Sequence, residues 1–389
     1  MYRCRLYPSN IQQERLLNNF EICKSVYNEL LELRIKTYKE TKKSLSKFDC
    51  DVLLKGRYKG IVFSQVLQNV SDRVDKSFKN FFRRVKDKSC RKKGFPRFKS
   101  QVHSITYSQF GFKMLSDKRL HLSTIGNIPI ILHRLPKGKI KTLTAKRNRA
   151  NQWFACFACE VEIPKVKHPS KKQVGIDVGI ENLATLSDGN VIENPRFLIK
   201  SEKRLKRLQR RLNRKVKGSA NRQKAKLLVA RQHLKIDNQR IDFLHKLSHE
   251  LAKKYSVIKI ESLNINGMVR NHHLAKHILD ASWNSFFRML SYKAVTGGGQ
   301  LVEVNPRGTS RTCSNCGTLI DMPLSKRTFK CTNCGFVCHR DLNASINING
   351  SAGLARTYTP MDTKPPQQNN SVASSVDEVG TTCKTPQLH

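Results

Sequence analysis

Residues 311–349 read RTCSNCGTLIDMPLSKRTFKCTNCGFVCHRDLNASININ. Two Cys-x-x-Cys pairs, Cys313/Cys316 and Cys331/Cys334, stand fourteen residues apart, each followed by a glycine, Gly317 and Gly335. A Cys-x-x-Cys knuckle presents two thiolates from one tight turn, and two knuckles at this spacing suit the tetrahedral sulfur ligation of a zinc ribbon. An ion with all four positions filled by thiolates has no open site, so it folds the unit rather than catalysing. Cys338 and His339 are spare donors that could replace one ligand; the two knuckles are the preferred set. Just beyond them Asp341 opens a stretch that reads as the start of a helix.

The cysteines belong to a chain of 389 residues with 73 Lys+Arg against 29 Asp+Glu, a net charge of +44. Such a length has room for two or three domains, and so one-sided a charge draws a chain to polyanions, nucleic acid first. A membrane surface is the alternative, but no apolar run approaches the ~20 residues a spanning helix needs. The N-terminus MYRCRLYPSN lacks the apolar core of a signal peptide, so a cytoplasmic protein is expected. In that setting clustered cysteines read as metal ligands rather than disulfides. The scattered Cys4, Cys23, Cys50 and Cys90 read as small core residues.

Residues 2–8 alternate apolar with basic, as a half-buried strand does. Ser9 follows as a helix N-cap with Gln12 at capping-box distance, and Leu16, Phe20, Cys23, Tyr27 and Leu30 mark one helical face. A second helical run covers about 62–87, with Val66, Val70, Val74, Phe78, Phe81, Phe82 and Val85 on one stripe. Its cations, from Arg73 to Arg84, are either a solvated face or phosphate contacts. Gln65, Gln68 and Asn69 could read base edges. In RKKGFPRFK, residues 91–99, Phe95 and Phe98 either stack on bases between cations or anchor a loop to a core.

From 101 to 163 short alternating runs separated by Gly, Pro and Asn predict a small β-barrel, into which strand 2–8 could pair. Cys156-x-x-Cys159 lies there, but strand residues three apart face opposite sides, which rejects it as a metal site. After a polar linker at 165–172, QVGIDVGIENLATLSDGNVI predicts a strand and hairpin. Val174, Ile176 and Val178 share one face, and Gly175, Asp177 and Gly179 the other. An acidic residue inside so apolar a strand is costly unless compensated, and flanking glycines would clear room for a metal and a phosphate backbone.

Residues 198–254 read as two long basic helices broken near Gly218, with 15 Lys or Arg and two acids between 201 and 240. That imbalance is poor for intrahelical pairing and suits a nucleic-acid surface. SVIKIESLNI is a strand ending on Glu261, followed by a polar loop with Arg270, His272 and His273, a helix, and the strand QLVEV. Residues 351–389 are rich in Pro, Gln, Asn, Ser and Thr and read as a disordered tail.

Asp177, Glu261 and Asp341 are hard oxygen donors suited to Mg²⁺ or Mn²⁺. Brought together without metal they would repel one another. Two divalent ions would remove that conflict, activate water and stabilise a leaving 3′-oxygen in phosphodiester cleavage.

GIDVGIENLATLSDG, VIKIESLNI and TSRTCSNCG…FKCTNCGFVCHRDLNASINI together resemble the split motifs of a RuvC-like, RNase H-fold nuclease interrupted by a zinc ribbon. The set resembles the TnpB family, transposon-encoded proteins ancestral to compact type V CRISPR effectors. YRCRLYP and KKGFPRFKS resemble that family's N-terminal half, so the match runs over about residues 1–350.

The resemblance implies a mixed α/β and β, multidomain fold. A β-barrel wedge domain (1–8 and 101–165) would carry a helical recognition insertion (9–100). A RuvC-like nuclease domain (170–306 and 337–350) would carry the zinc ribbon (307–336), ahead of the tail. It further implies an RNA-guided DNA endonuclease of a transposable element, a monomer holding one guide RNA from the transposon end and cutting double-stranded target DNA. By motif, Asp177, Glu261 and Asp341 are its magnesium-binding catalytic acids and Cys313, Cys316, Cys331 and Cys334 its zinc ligands. The competing reading is a DNA- or RNA-binding accessory transposition factor or regulator; retention of all three acids favours the nuclease. Gly297–Gly299, where an aromatic residue is expected, and the extra thiol Cys338 depart from the family pattern.

Overall fold

The computed structural model describes residues 1–90, 93–116, 118–162, 166–323 and 326–353. The predicted tail therefore lies outside the described residues, apart from 351–353. By internal contacts the chain divides into two units, 1–162 with 210–231, and 163–209 with 232–389.

In the first unit β1 (Tyr2–Leu6) leads into α1 (Asn10–Thr41). Ser9 caps α1, and the reciprocal bonds with Gln12 complete the capping box. α2 (Lys47–Leu53) has its own box from Ser46 and Asp49, a signal the sequence reading passed over. α3 (Ser64–Lys86) follows, then β2 (Ser104–Tyr107), β3 (Phe112–Ser116), β4 (Arg119–Leu122), β5 (Gly126–Ile131), β6 (Lys139–Arg147) and β7 (Trp153–Glu160). The strands form one sheet in the order β2-β6-β7-β1-β5-β4-β3, with β1 antiparallel to both β7 and β5.

The expected barrel is thus an open sheet with β2 and β3 as its ends. Closure would require those ends to pair; instead, Arg73 of α3 donates to Ser104 O at 3.0 Å and Thr106 Oγ1 at 2.9 Å on β2. Helices and sheet share one core: Leu16, Phe20 and Leu30 of α1 and Val66, Val70 and Val74 of α3 bury with Leu6, Ile105 and Phe157. The α3 stripe stops short of its expected end, since Phe82 and Val85 are exposed. Phe95 packs edge-on against Phe78 and Phe81 while itself 49% exposed, and Phe98 is 56% exposed. Gln65 and Asn69 are engaged internally, with Phe110 N and Arg73; Gln68 alone of the three amides is exposed. Cys156 and Cys159 sit on opposite faces of β7, as the alternation requires.

The second unit is built on β8 (Gln173–Val178), β9 (Asn182–Leu186) and β10 (Val191–Glu193). α4 (Phe197–Asn213) and α5 (Ala220–Lys254) precede β11 (Val257–Glu261). α6 (Ile265–Met268), α7 (His272–Ala281) and α8 (Trp283–Thr296) lead to β12 (Gln300–Val304). The hairpin β13 (Thr328–Lys330) and β14 (Val337–His339) comes before α9 (Arg340–Gly350).

The main sheet runs β10-β9-β8-β11-β12; β8, β11 and β12 are parallel and the β8-β9-β10 meander antiparallel. Val174, Ile176, Ile258 and Ile260 bury on one face with Trp283, Phe286 and Leu290 of α8 and Leu244 and Leu251 of α5. Ile241 of α5 is exposed. Buried Asp280 of α7 accepts from Leu198 N at the start of α4 and from Arg240 of α5 at 2.8 Å. Gly298 and Gly299 press against the carbonyls of Val166 and Ser256, leaving no space for the aromatic side chain expected in that run.

Candidate metal centre and cysteine cluster

Strand alternation divides β8 and β11 between two jobs. The even-numbered residues feed the core, which leaves Gly175 and Asp177 of β8, and Lys259 and Glu261 of β11, on the opposite face. The parallel register pairs Lys259 with Gly175 and Ile260 with Ile176, so Asp177 and Glu261 are the next residues along two adjacent strands. Neighbouring strands lie about 4.8 Å apart.

α9 covers this face. A Cβ on Gly175 would stand 2.2 Å from Ser345 O and 2.5 Å from Asn349 N, so the helix backbone lies directly on the strand there. The glycine thus makes room for a helix; the expectation that it clears a path for metal and phosphate does not hold at Gly175. Lys259 fixes the far end of α9, its Nζ donating to Asn349 O at 2.7 Å and Ser351 O at 2.9 Å. A cation suits a helix C-terminus, where carbonyls lack partners. The near end then delivers Asp341, in the first turn, to the neighbourhood of Asp177 and Glu261.

The charges register this approach. Burial, then repulsion from Glu261 and Asp341, pushes the Asp177 carboxyl well above its ordinary range, against smaller opposing effects of Arg340 and the Val178 N–H. Burial also raises Glu261, while a hydrogen bond donated by the Thr309 hydroxyl opposes it. Arg327 bridges Glu181 Oε2 at 3.3 Å and Asp341 Oδ1 at 3.9 Å. Glu261 and Asp341 both act on the buried Asp177 carboxylate, and hard oxygen donors of this kind suit a divalent cation, although among the described residues their ligand atoms do not all lie within 4.8 Å of one another.

The cysteines are drawn together more tightly. Among the described residues, Cys313, Cys316, Cys331 and Cys334 are the only group of three or more such donors whose ligand atoms all lie within 4.8 Å. Sγ of Cys313 is 3.7 Å from that of Cys334, and Sγ of Cys316 is 3.5 Å from that of Cys331. A zinc–sulfur bond of about 2.3 Å gives a tetrahedral edge of about 3.8 Å, so these spacings fit. The two knuckles are built alike. Cys313 N donates to Thr318 O and Cys331 N to Phe336 O, and Gly317 N and Gly335 N return to the first cysteine's carbonyl.

Bonds from Thr318, the side-chain hydroxyl first, draw the Cys316 thiol down to about 6, near the thiolate state a metal requires. Cys338 packs beside Phe329 instead, and His339 caps α9 by accepting from Asp341 N at 3.3 Å.

Two asparagines tie the cluster to the carboxylate helix. Asn343 donates to Thr312 O at 2.8 Å and accepts from Ser314 N at 2.9 Å. Asn347, one turn on, donates to Thr309 O at 2.8 Å and Thr312 O at 2.6 Å. Neither asparagine stands out in the sequence, nor do Thr309, Arg327 or Lys259. The one signal present was Asn343 and Asn347 at i and i+4, which places both on one helical face.

Three family models match: "Probable transposase" over residues 156–272, "Cas12f1-like, TNB domain" over 283–348, and "Helix-turn-helix domain" over 1–43. A Streptomyces pristinaespiralis protein named "Putative RNA-guided DNA endonuclease" is 33% identical, the alignment covering 96% of this chain and 94% of that one. The protein of Escherichia coli K12 named "Putative RNA-guided DNA endonuclease InsQ" is 35% identical over 73% of each chain. A TnpB-like protein of Methanocaldococcus jannaschii is 30% identical over 48% of this chain and 72% of its own length. The chain belongs to the TnpB family.

Among solved structures, a cryo-EM structure of a Cas12f1–sgRNA–target DNA complex shares the fold of this TnpB-family chain. Its TM-score is 0.56 at 17% identity, over 87% of this chain and 82% of that one. Residues 1–43 of the TnpB-family chain fold as one strand and one 32-residue helix, so the helix-turn-helix description does not apply to its structure. No helix among the described residues is long and apolar enough to cross a membrane.

Proposed function

We propose that this chain is an RNA-guided DNA endonuclease of a transposable element, cutting target DNA by a metal-dependent, RuvC-like mechanism. The observation that supports the proposal is the electrostatic influence of Glu261 (β11) and Asp341 (α9) on Asp177 (β8), with Asp177 and Glu261 at neighbouring positions of adjacent strands. The sheet order, with an antiparallel meander beside parallel strands, supports an RNase H-like nuclease domain over 170–306 and 337–350. Residues 307–336 act as its zinc ribbon, with Cys313, Cys316, Cys331 and Cys334 as ligands. The open sheet (1–8 and 101–165) serves as the wedge domain and 9–100 as the recognition insertion.

Asp177, Glu261 and Asp341 would hold Mg²⁺ or Mn²⁺, which would supply water activation and charge stabilisation at the leaving 3′-oxygen. Asp177 and Glu261 are fixed by their strands, so little reordering is needed to meet the scissile phosphate. Arg327 is placed to exchange its carboxylate partners for a phosphate oxygen. Guide RNA and target DNA bind through the excess of cations, above all the 15 Lys and Arg between 201 and 240.

The test is purification from cells carrying the flanking DNA, sequencing of co-purifying RNA, and a Mg²⁺-dependent cleavage assay on a matched target. A defined RNA and cutting lost in Asp177→Ala and Asp341→Ala are expected. No defined RNA, or cutting unchanged by both substitutions, overturns the proposal.

A further inference from the structure

Glu261 differs from its two companions in what holds it. Asp341 faces the cation Arg327, whereas Glu261 Oε1 accepts a hydrogen bond from a neutral side chain, the Thr309 hydroxyl. Among the described residues Oε2 of Glu261 accepts no hydrogen bond. One oxygen is therefore tethered and the other left for a ligand.

Thr309 is itself held firmly. It is 7% exposed, its hydroxyl also leans toward Pro306 O at 3.3 Å, and its carbonyl accepts from Asn347 of α9. It stands four residues ahead of the first cysteine ligand, in the loop that Asn343 and Asn347 bind down. The tether is thus anchored in the cysteine unit and in α9, not in the strand that carries Glu261.

We infer that Thr309 is a positioning residue for Glu261: its hydroxyl fixes one carboxylate oxygen so that the other is presented to the catalytic divalent cation. This rests on the reading of Glu261 as a metal-binding carboxylate. A hydroxyl that orients a ligating carboxylate acts on metal affinity, and loss of such a partner costs typically about 10–100-fold in affinity or activity. Valine keeps the branched shape and removes the donor, while serine keeps the donor.

The experiment uses the full chain with its co-purified RNA, as wild type, Thr309→Val, Thr309→Ser and Glu261→Gln. Mn²⁺ binding is measured by electron paramagnetic resonance, target cleavage is titrated with Mg²⁺, and melting temperature is recorded for each variant. In Thr309→Val, weaker Mn²⁺ binding and a Mg²⁺ half-saturation raised about tenfold or more are expected, with the rate at saturating Mg²⁺ reduced far less. Thr309→Ser restores both values. A Thr309→Val protein that loses rate or stability while its Mg²⁺ half-saturation and Mn²⁺ affinity stay at wild-type values overturns the inference, because Thr309 is then only a packing residue. If Glu261→Gln itself leaves Mn²⁺ binding and cleavage unchanged, the underlying reading of Glu261 fails instead.

Discussion

Gly175→Ala replaces a hydrogen with a methyl group at the contact between β8 and α9. The new Cβ would lie 2.2 Å from Ser345 O and 2.5 Å from Asn349 N, against a floor of 3.0 Å for real Cβ contacts. The helix must therefore back away by at least about 0.8 Å, the difference between 3.0 and 2.2 Å. Both obstructing atoms are backbone, so no rotamer change relieves them. Overpacking of this kind costs about 1–3 kcal/mol, which for a domain of this size lowers the melting temperature by about 2–4 °C per kcal/mol. The larger effect falls on chemistry. Asp341 rides on the displaced helix, and if it is a metal-binding acid as proposed, a misplacement of about 1 Å is worth about 100-fold in rate.

Guided cleavage and thermal melting of the same preparations measure both quantities. Gly350→Ala is the control: it lies at the end of the same helix with nothing within 4 Å of its Cβ, and should leave rate and melting unchanged. A Gly175→Ala protein with wild-type cleavage and wild-type melting would refute the docking of α9 on β8.

Asp280→Ala takes one of two carboxylate partners from partly buried Arg240, which keeps Asp237 at 3.4 Å, and leaves the start of α4 uncapped, so denaturant unfolding should report a loss of about 1–3 kcal/mol. Burial pushes the Asp188 carboxyl up, but donors on Tyr255, Lys254 and Asn190 outweigh it and hold the group at about 2. A depressed carboxyl stabilises above its unfolded pKa of about 3.9 and loses that contribution as pH falls toward the folded value. Wild type should therefore lose on the order of 1 kcal/mol more than Asp188→Asn between about pH 4 and pH 2, after allowance for solvent screening; parallel stability curves would contradict this. Cys331→Ser should lower the zinc content measured by elemental analysis and abolish cleavage, while Cys338→Ser should retain zinc; full zinc in Cys331→Ser would remove it from the ligand set.

Local signals with one physical cause were legible in the sequence. Ser9 and Gln12 announce the α1 cap, alternation puts Asp177 opposite the core face, and Cys-x-x-Cys spacing brings four thiols together. Signals that depend on a distant partner were not. Nothing near Gly175 says that a helix 165 residues later will lie on it, so an open path for ligand was the natural local reading. The amides of Gln65 and Asn69 looked free because their partners, Phe110 N and Arg73, are set by tertiary packing. Thr309 and Arg327 carried no periodicity or motif of their own, and only the folded loop shows which carboxylates they meet. The barrel was met only in part, as a curled half-barrel sheet, for the same reason. Alternating strands predict a sheet, but whether its ends meet depends on what covers β2.

Translation imposes an order on this architecture. β8 leaves the ribosome 164 residues before Asp341, an interval of roughly 8–33 s at about 5–20 residues per second. During that time Asp177 and then Glu261 can settle into their strands, but the face they share has no α9 upon it. Asp341 joins them only after the cysteine unit that anchors its helix has itself been synthesised. On the proposed reading of these acids, a chain synthesised only as far as β12 is thus unable to bring all three together.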